Sequence, residues 1–269
     1  MFEKKNILGV GVTNATQEEI LEYIVNFVKN SSKKLFITTP NPEILVFAHH
    51  HHGFKTILNK ADLALNDGAG VTWASTLLKK PLKARVTGVD VMEKLCEKVC
   101  DQPITVGFLG GRIGVAERTA ECLQKKYSHL KVSFAGEEWS ETLCVIATPS
   151  GVEGEAISLN GIASSGLTSL TIPRNDNRKE IDILFVAFGF PKQEQWIYDN
   201  LERIPVKVAM GVGGAFDYIS GRVPRAPRWV RSIGFEWLFR LLIEPWRIKR
   251  QLVLLEFVWL VIKEKLSPK

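Results

Sequence analysis

The sequence predicts an α/β fold, a mostly parallel sheet with helices on both faces, followed by a C-terminal helical appendage. Three observations carry that expectation. Short β-branched runs alternate with helical patterns through the first two-thirds of the chain, the signature of a parallel sheet covered by helices. Glycine, proline and aspartate punctuate the ends of those runs, where the chain must turn. After Gly221 the alternation stops and the composition becomes basic and aromatic.

Taken in order, Leu35 to Thr39 reads as a strand closed by Pro40-Asn41-Pro42, and a helix is expected from Glu43 to Leu58. A short strand, Leu63 to Leu65, is followed by the turn Asp67-Gly68-Ala69-Gly70 and a helix from Val71 to Leu78. Val89 to Cys100 is helical and leads into the strand Ile104 to Leu109. Gly110-Gly111 then turns the chain into a helix from Val115 to Tyr127, and Lys131 to Ala135 is a further strand. Ile183 to Phe188 and Val206 to Met210 complete the strands, with a helix from Gln193 to Leu201 between them. Ser140 to Arg178, rich in Ser, Gly, Thr and Ile, breaks this rhythm and reads as an irregular insertion with one strand near Ser169 to Ile172. The pattern is Rossmann-like. The domain boundary falls near Arg222, leaving a core of residues 1–221 and an appendage of residues 222–269.

A chain of 269 residues suits one medium α/β domain with an appendage, and its 45% apolar and 24% charged residues exclude disorder throughout. The four cysteines form no Cys-x-x-Cys pair, and Cys96 and Cys100, four apart in a helical pattern, are expected as small core residues in a reducing compartment. The first ten residues lack a signal-peptide profile. Leu252 to Ile262, interrupted by Glu256, falls short of the roughly 20 residues a spanning helix needs. The protein is therefore not expected to cross a membrane, and association with a membrane surface stays open.

Net charge is +6, but its distribution is more informative. Arg222 to Arg250 holds seven arginines and one lysine against Glu236 and Glu244 alone, with Trp229, Trp237 and Trp246 interleaved. Such a segment, which reads as amphipathic helices broken by Pro245, suits an anionic partner, either nucleic acid or a membrane surface.

Ligands of parallel sheets bind beyond the carboxyl ends of the strands. Four polar turns stand at such ends: Thr39-Pro40-Asn41, Asp67-Gly68, Gly110-Gly111 with Gly114, and Gly189 to Gln195, which contains Gln193. The Gly110-Gly111 turn lets backbone N–H groups approach a phosphate, or is simply a tight connection. Glu137 or Glu138 reads as a ribose ligand or as a surface carboxylate. Asp67 is either a base that accepts a proton from an attacking hydroxyl or the N-cap of the helix that follows. Arg85 is a phosphate clamp or a solvated charge. His49 to His52 point around most of a helix and cannot converge on one ion, so an exposed helix end is expected. No Asp-x-Asp, His/Cys metal spacing, Walker loop or Gly-x-Ser-x-Gly elbow is present, so no metal and no cofactor are expected. A departing diphosphate would then need arginine.

The ordered set Thr38-Thr39-Pro40-Asn41-Pro42-Glu43, Asn66 to Val71, Arg85 to Asp90, Phe108 to Gly111, Gly189 to Glu194 and Gly211 to Asp217 resembles the WecG/TagA/CpsF family of glycosyltransferases, from about Ile7 to Arg250. The resemblance implies an inverting transferase at the cytoplasmic face of the bacterial membrane. Its TagA-like members move N-acetylmannosamine from UDP to undecaprenyl-diphosphate-linked N-acetylglucosamine in teichoic acid linkage-unit synthesis. Others use UDP-glucose or UDP-N-acetylmannosaminuronic acid. By the same resemblance Asp67 is the base, Thr39, Asn41, Arg85 and Gln193 are its pocket partners, and Arg240, Arg247 and Arg250 meet the diphosphate. The partners implied are a UDP-sugar, a lipid-diphosphate-linked acceptor and an anionic membrane surface, with no nucleic acid; a homo-oligomer is left open. Two departures stand out: the longer Ser/Gly-rich stretch at 140–178 and the histidine run. A Rossmann-type oxidoreductase or methyltransferase, or a nucleic-acid or membrane-binding module, would leave several of these motifs unexplained.

Overall fold

The computed structural model describes residues 2–139 and 181–267. The expected insertion at 140–178, with its strand near 169–172, lies outside the described residues, as does Cys144.

The chain opens on an antiparallel hairpin, β1 (Lys4–Ile7) and β2 (Val10–Thr13), and the helix α1 (Gln17–Asn30), none of which the sequence reading had assigned. The signal for α1 was available: Thr16 accepts from the Glu19 N–H while the Glu19 carboxylate accepts from the Thr16 N–H, a reciprocal capping box. Next come β3 (Leu35–Thr38), α2 (Pro42–His50), α3 (His52–Lys60), β4 (Leu63–Ala64), α4 (Ala69–Leu77) and α5 (Gly88–Val99). They are followed by β5 (Thr105–Gly110), α6 (Val115–Lys126), β6 (Lys131–Gly136), β7 (Ile181–Ala187), α7 (Lys192–Asn200), β8 (Val206–Gly211) and α8 (Ala215–Ile219).

The single helix expected from Glu43 to Leu58 is two helices. His51, with φ −120° and ψ 91°, breaks it, and its ring stacks on Phe47 at 3.9 Å. The break lets α2 bury Leu45 and Val46 in one apolar cluster while α3 sends Ile57 into another. All four histidines at this joint are exposed.

Six strands form a wholly parallel sheet in the order β4-β3-β8-β7-β5-β6. Helices cover both faces, so the central strands are apolar on both sides; along β7 only Asp182 is not fully buried. One face packs on α1, α5, α6 and α8, with Phe108 between Phe185 and Phe216 at 5.7 and 5.8 Å. The other face packs on α3 and α7 through Leu184, Val186, Ile197 and Leu201. Cys96 is buried as expected, whereas Cys100 is only partly buried, because it caps α5 where the helix leaves the core.

The topology positions the site. From β3 the chain steps outward to β4, and from β5 it steps outward to β6, on opposite edges. β7 and β8 fill the gap, so the carboxyl ends of β3, β8, β7 and β5 lie side by side where ligands of open α/β sheets bind.

Beyond the sheet lie α9 (Arg228–Ser232), α10 (Glu236–Ile243), a 3-10 turn at Pro245–Arg247, α11 (Ile248–Gln251) and α12 (Val253–Leu266). The last helix returns to the body of the protein. Phe257, Leu260 and Val261 join Ile7 and Val10 of the hairpin, Leu45 of α2 and Val71 of α4 in one buried cluster. Glu264 accepts from the Leu8 N–H and from Lys80. The appendage is thus strapped over the carboxyl edge of the sheet.

Candidate active site

Between that edge and the appendage lies a cleft of about 790 Å³. Its lining brings together Thr39, Asn41, Asp67, Arg85, Gly111, Gln193, Arg240, Arg247 and Arg250. Residues up to 211 positions apart in sequence therefore share one cavity. Gly110 is the one named site residue absent from the lining. It ends β5 with φ +95°, and a Cβ there would stand 2.7 Å from the Phe188 ring, so its freedom serves backbone packing beneath the cleft.

Asp67 sits at the end of the β4 segment, partly accessible from the cleft. The capping alternative is excluded by geometry: the N-cap of α4 is Gly68, at φ +137°, and no side chain caps that helix. The Asp67 carboxyl instead accepts from the N–H of Gly88, the first residue of α5. Asn66 holds this arrangement. Its Nδ2 donates to Ala84 O and Thr72 Oγ1, both at 2.9 Å, and its backbone carbonyl accepts from the Val86 N–H, which fixes the stretch of chain carrying Arg85.

Opposing effects act on the Asp67 proton. Burial raises its affinity, the Gly88 N–H lowers it, Glu236 from α10 raises it, Arg85 lowers it and Asp90 raises it. Burial wins, and the carboxyl is pushed from 3.8 up to about 7. Asp67 is thus a carboxyl poised to exchange a proton near neutrality.

The neighbouring polar groups are partly committed to the protein. Thr39 Oγ1 donates to Gly211 O at 3.0 Å, tying the ends of β3 and β8 together. Asn41 Oδ1 caps α2 by accepting from the Ile44 N–H at 3.0 Å, which leaves its amide nitrogen without a protein partner among the described residues. Gln193 is buried; its Oε1 accepts from the Gly213 N–H and its Nε2 donates to Glu194. Gln193 therefore braces the Gly211–Gly213 wall of the cleft. At the glycine turn, Gly114 N–H donates to Glu137 Oε1 at 3.2 Å, so Glu137 serves the start of α6.

The arginines of the appendage meet carboxylates that sequence reasoning did not single out. Arg240 reaches Glu244 and Asp217 and lies 4.8 Å over the Tyr218 ring; Arg247 also reaches Glu244; Arg250 forks onto Glu43 of α2. Arg247 and Arg250 are three residues apart beyond Pro245, whereas Arg240 precedes the proline, so helical spacing alone does not bring it to them. The 3-10 turn supplies the missing geometry by folding the chain back at Glu244-Pro245. Arg85 makes no ion pair among the described residues, leaving a cation at the cleft beside Asp67. No group of three His, Cys, Asp or Glu side chains among the described residues is placed to hold a metal ion.

The parallel α/β sheet thus carries at its central crevice one neutral-range carboxyl and a rim of guanidiniums, groups suited to an anionic ligand. The description "Glycosyl transferase WecG/TagA/CpsF family" matches residues 5–142 and 171–269, and the chain belongs to that family; it is a glycosyltransferase. Two similar proteins, from Staphylococcus aureus strains MRSA252 and NCTC 8325 / PS 47, are each 32% identical over 263 residues, covering 97% of this chain and 93% of theirs. Both are named N-acetylglucosaminyldiphosphoundecaprenol N-acetyl-beta-D-mannosaminyltransferase.

Proposed function

We propose that this enzyme transfers N-acetylmannosamine from its UDP form to N-acetylglucosamine carried on undecaprenyl diphosphate, with inversion, during assembly of a cell-surface polymer such as wall teichoic acid. The observation that carries this reading is the presence of Asp67 and four arginines in the lining of one cleft, supported by the names of the Staphylococcus aureus relatives. In one displacement, the acceptor hydroxyl oxygen bonds to the anomeric carbon, its proton passes to the Asp67 carboxylate, and the bond to the UDP oxygen breaks. Arg85, Arg240, Arg247 and Arg250 offset the charge that builds on the diphosphate. Gly111 and the free amide nitrogen of Asn41 border the same space, while Thr39 and Gln193 hold the wall.

Inversion predicts a β-linked product from an α-linked UDP donor. Mass spectrometry and NMR of the product formed from UDP-N-acetylmannosamine, UDP-glucose and UDP-N-acetylmannosaminuronic acid, each with a short-chain lipid-diphosphate acceptor, test donor and anomer together. An α-linked product would remove the single-displacement mechanism, and preference for another donor would reassign the sugar.

Two further results are expected. Because the base must be ionised and its carboxyl stands at about 7, kcat/KM should climb with pH through a midpoint near neutrality. A climb centred near 4 would mean that an ordinary carboxylate does the work. With guanidiniums supplying the counter-charge, turnover should survive excess EDTA; its loss, restored by magnesium or manganese, would contradict that assignment.

The appendage is proposed to rest on an anionic membrane surface. Trp229, Trp246, Leu242 and Leu255 are 68%, 69%, 73% and 72% exposed, the amphipathic profile of an interfacial anchor. No helix among the described residues is long and apolar enough to cross a membrane.

A further inference from the structure

Arg240 and Arg247 already meet carboxylates within the protein. Arg240 Nε donates to Glu244 Oε2 at 2.7 Å, and Arg240 Nη2 donates to Asp217 at 3.3 Å. Arg247 Nη1 donates to the same Glu244 oxygen at 3.2 Å. One carboxylate oxygen thus accepts from two guanidiniums, and only 12% of the Glu244 side chain is exposed. Ion pairs on a helix surface are solvated and couple one cation to one anion. This pair is neither.

Local backbone chemistry creates it. The Glu244 N–H still bonds Arg240 O at 2.8 Å, closing the last turn of α10. Pro245 cannot continue the helix and starts the 3-10 turn, closed by the Arg247 N–H on Glu244 O at 3.0 Å. Arg240 therefore lies one α-turn behind Glu244, and Arg247 one 3-10 turn ahead of it. Without an anion between them the two guanidiniums would repel each other; burial, Arg240 and Arg250 already weaken the hold of Arg247 on its proton.

We propose that Glu244 is the positioning residue of a diphosphate site: its carboxylate holds Arg240 and Arg247 side by side so that their remaining N–H groups form one pocket for two adjacent phosphoryl groups. This rests on the proposed function and deepens it. Arg240 also hydrogen-bonds the Tyr218 side chain, and its Nη1 lies so close to Gly214 that a Cβ there would stand 2.7 Å away. Arg247 retains Nε and Nη2, and both side chains line the cleft. Glu244 touches no reacting atom. The diphosphate can belong to the nucleotide or to the lipid, since the chemistry recognised is the same.

The opposite role is also testable, because a carboxylate that merely fills the phosphate position would compete with the ligand. Binding of UDP and of farnesyl diphosphate should be measured for the full chain, for Glu244→Ala and for Glu244→Gln, alongside KM and kcat. Removing the clamp in Glu244→Ala should weaken at least one probe by about tenfold or more and raise KM for the substrate carrying that diphosphate. The probe that responds identifies which diphosphate the pair holds. Glu244→Gln keeps an oxygen with two lone pairs but loses the charge, so its binding should fall between that of the parent and that of Glu244→Ala. It also guards against an alanine variant that fails to fold. Unchanged or tighter binding in Glu244→Ala overturns the inference, as does a glutamine variant damaged as severely as alanine. A parent protein that binds neither probe would overturn the proposed function as well, whereas normal parent binding with indifferent variants would overturn the clamp alone.

Discussion

Asp67→Asn should lower turnover by about two or more orders of magnitude, the usual range for loss of a positioned general base. Asparagine keeps the size of the side chain and an oxygen that can accept from the Gly88 N–H, but it cannot take the acceptor's proton. The variant should still bind UDP, because the arginines are untouched. Stability separates this result from simple damage. The folded-state value of Asp67, about 7, lies above its ordinary 3.8, so its protonated form suits the fold. The associated stability is complete below about pH 4 and is lost as pH rises through 7. Asp67→Asn abolishes that loss, so it should melt above the parent at pH 8 and close to it at pH 4. Slower turnover with a higher melting temperature at pH 8 is a signature that general destabilisation cannot produce. Near-normal turnover would remove Asp67 from the mechanism.

Replacing Arg240, Arg247 and Arg250 together by alanine should reduce kcat/KM by about a thousandfold, since charged hydrogen bonds contribute about 1.5–3 kcal/mol each and the three do not act additively. Binding to anionic liposomes should change far less. The three guanidiniums face the cleft and carboxylates, whereas Trp229, Trp246, Leu242 and Leu255 remain as anchors. Equal losses of liposome binding and turnover would mean that these arginines serve the membrane rather than the diphosphate. Deleting the appendage is a poorer test. It would strip Phe257, Leu260 and Val261 from a buried cluster shared with the hairpin, α2 and α4.

Four turns recognised from Gly, Pro, Asn and Asp at strand ends do converge on one cleft, because a parallel sheet places every carboxyl end on the same edge. What local pattern left open was settled by distant contacts. Asp67 could not be told from a helix cap until Gly88, 21 residues later, was seen to supply its donor. Glu137 likewise accepts from the Gly114 N–H, a contact that the local pattern does not show. Glu43, Asp217 and Glu244 carry no role in the local pattern, because net charge registers the sign of the arginines and not their pairing; the four- and three-residue spacing of Arg240 and Arg247 around Glu244 is the clue in the sequence. The division at residue 222 marks a real change in composition, yet α12 beyond it completes the buried cluster around the hairpin. Composition registers the exposed side of that helix and says little about what its other side covers.

Under the proposed mechanism, sugar leaves UDP in this cleft only as an acceptor hydroxyl gives its proton to Asp67. The most direct measurement is UDP release by the purified full chain supplied with UDP-N-acetylmannosamine, with and without a short-chain lipid-diphosphate-linked N-acetylglucosamine, in parallel with Asp67→Asn. Rapid release that requires the acceptor and nearly vanishes in the variant is the result expected. Release that ignores the acceptor, or that the variant sustains at the parent's rate, would contradict it.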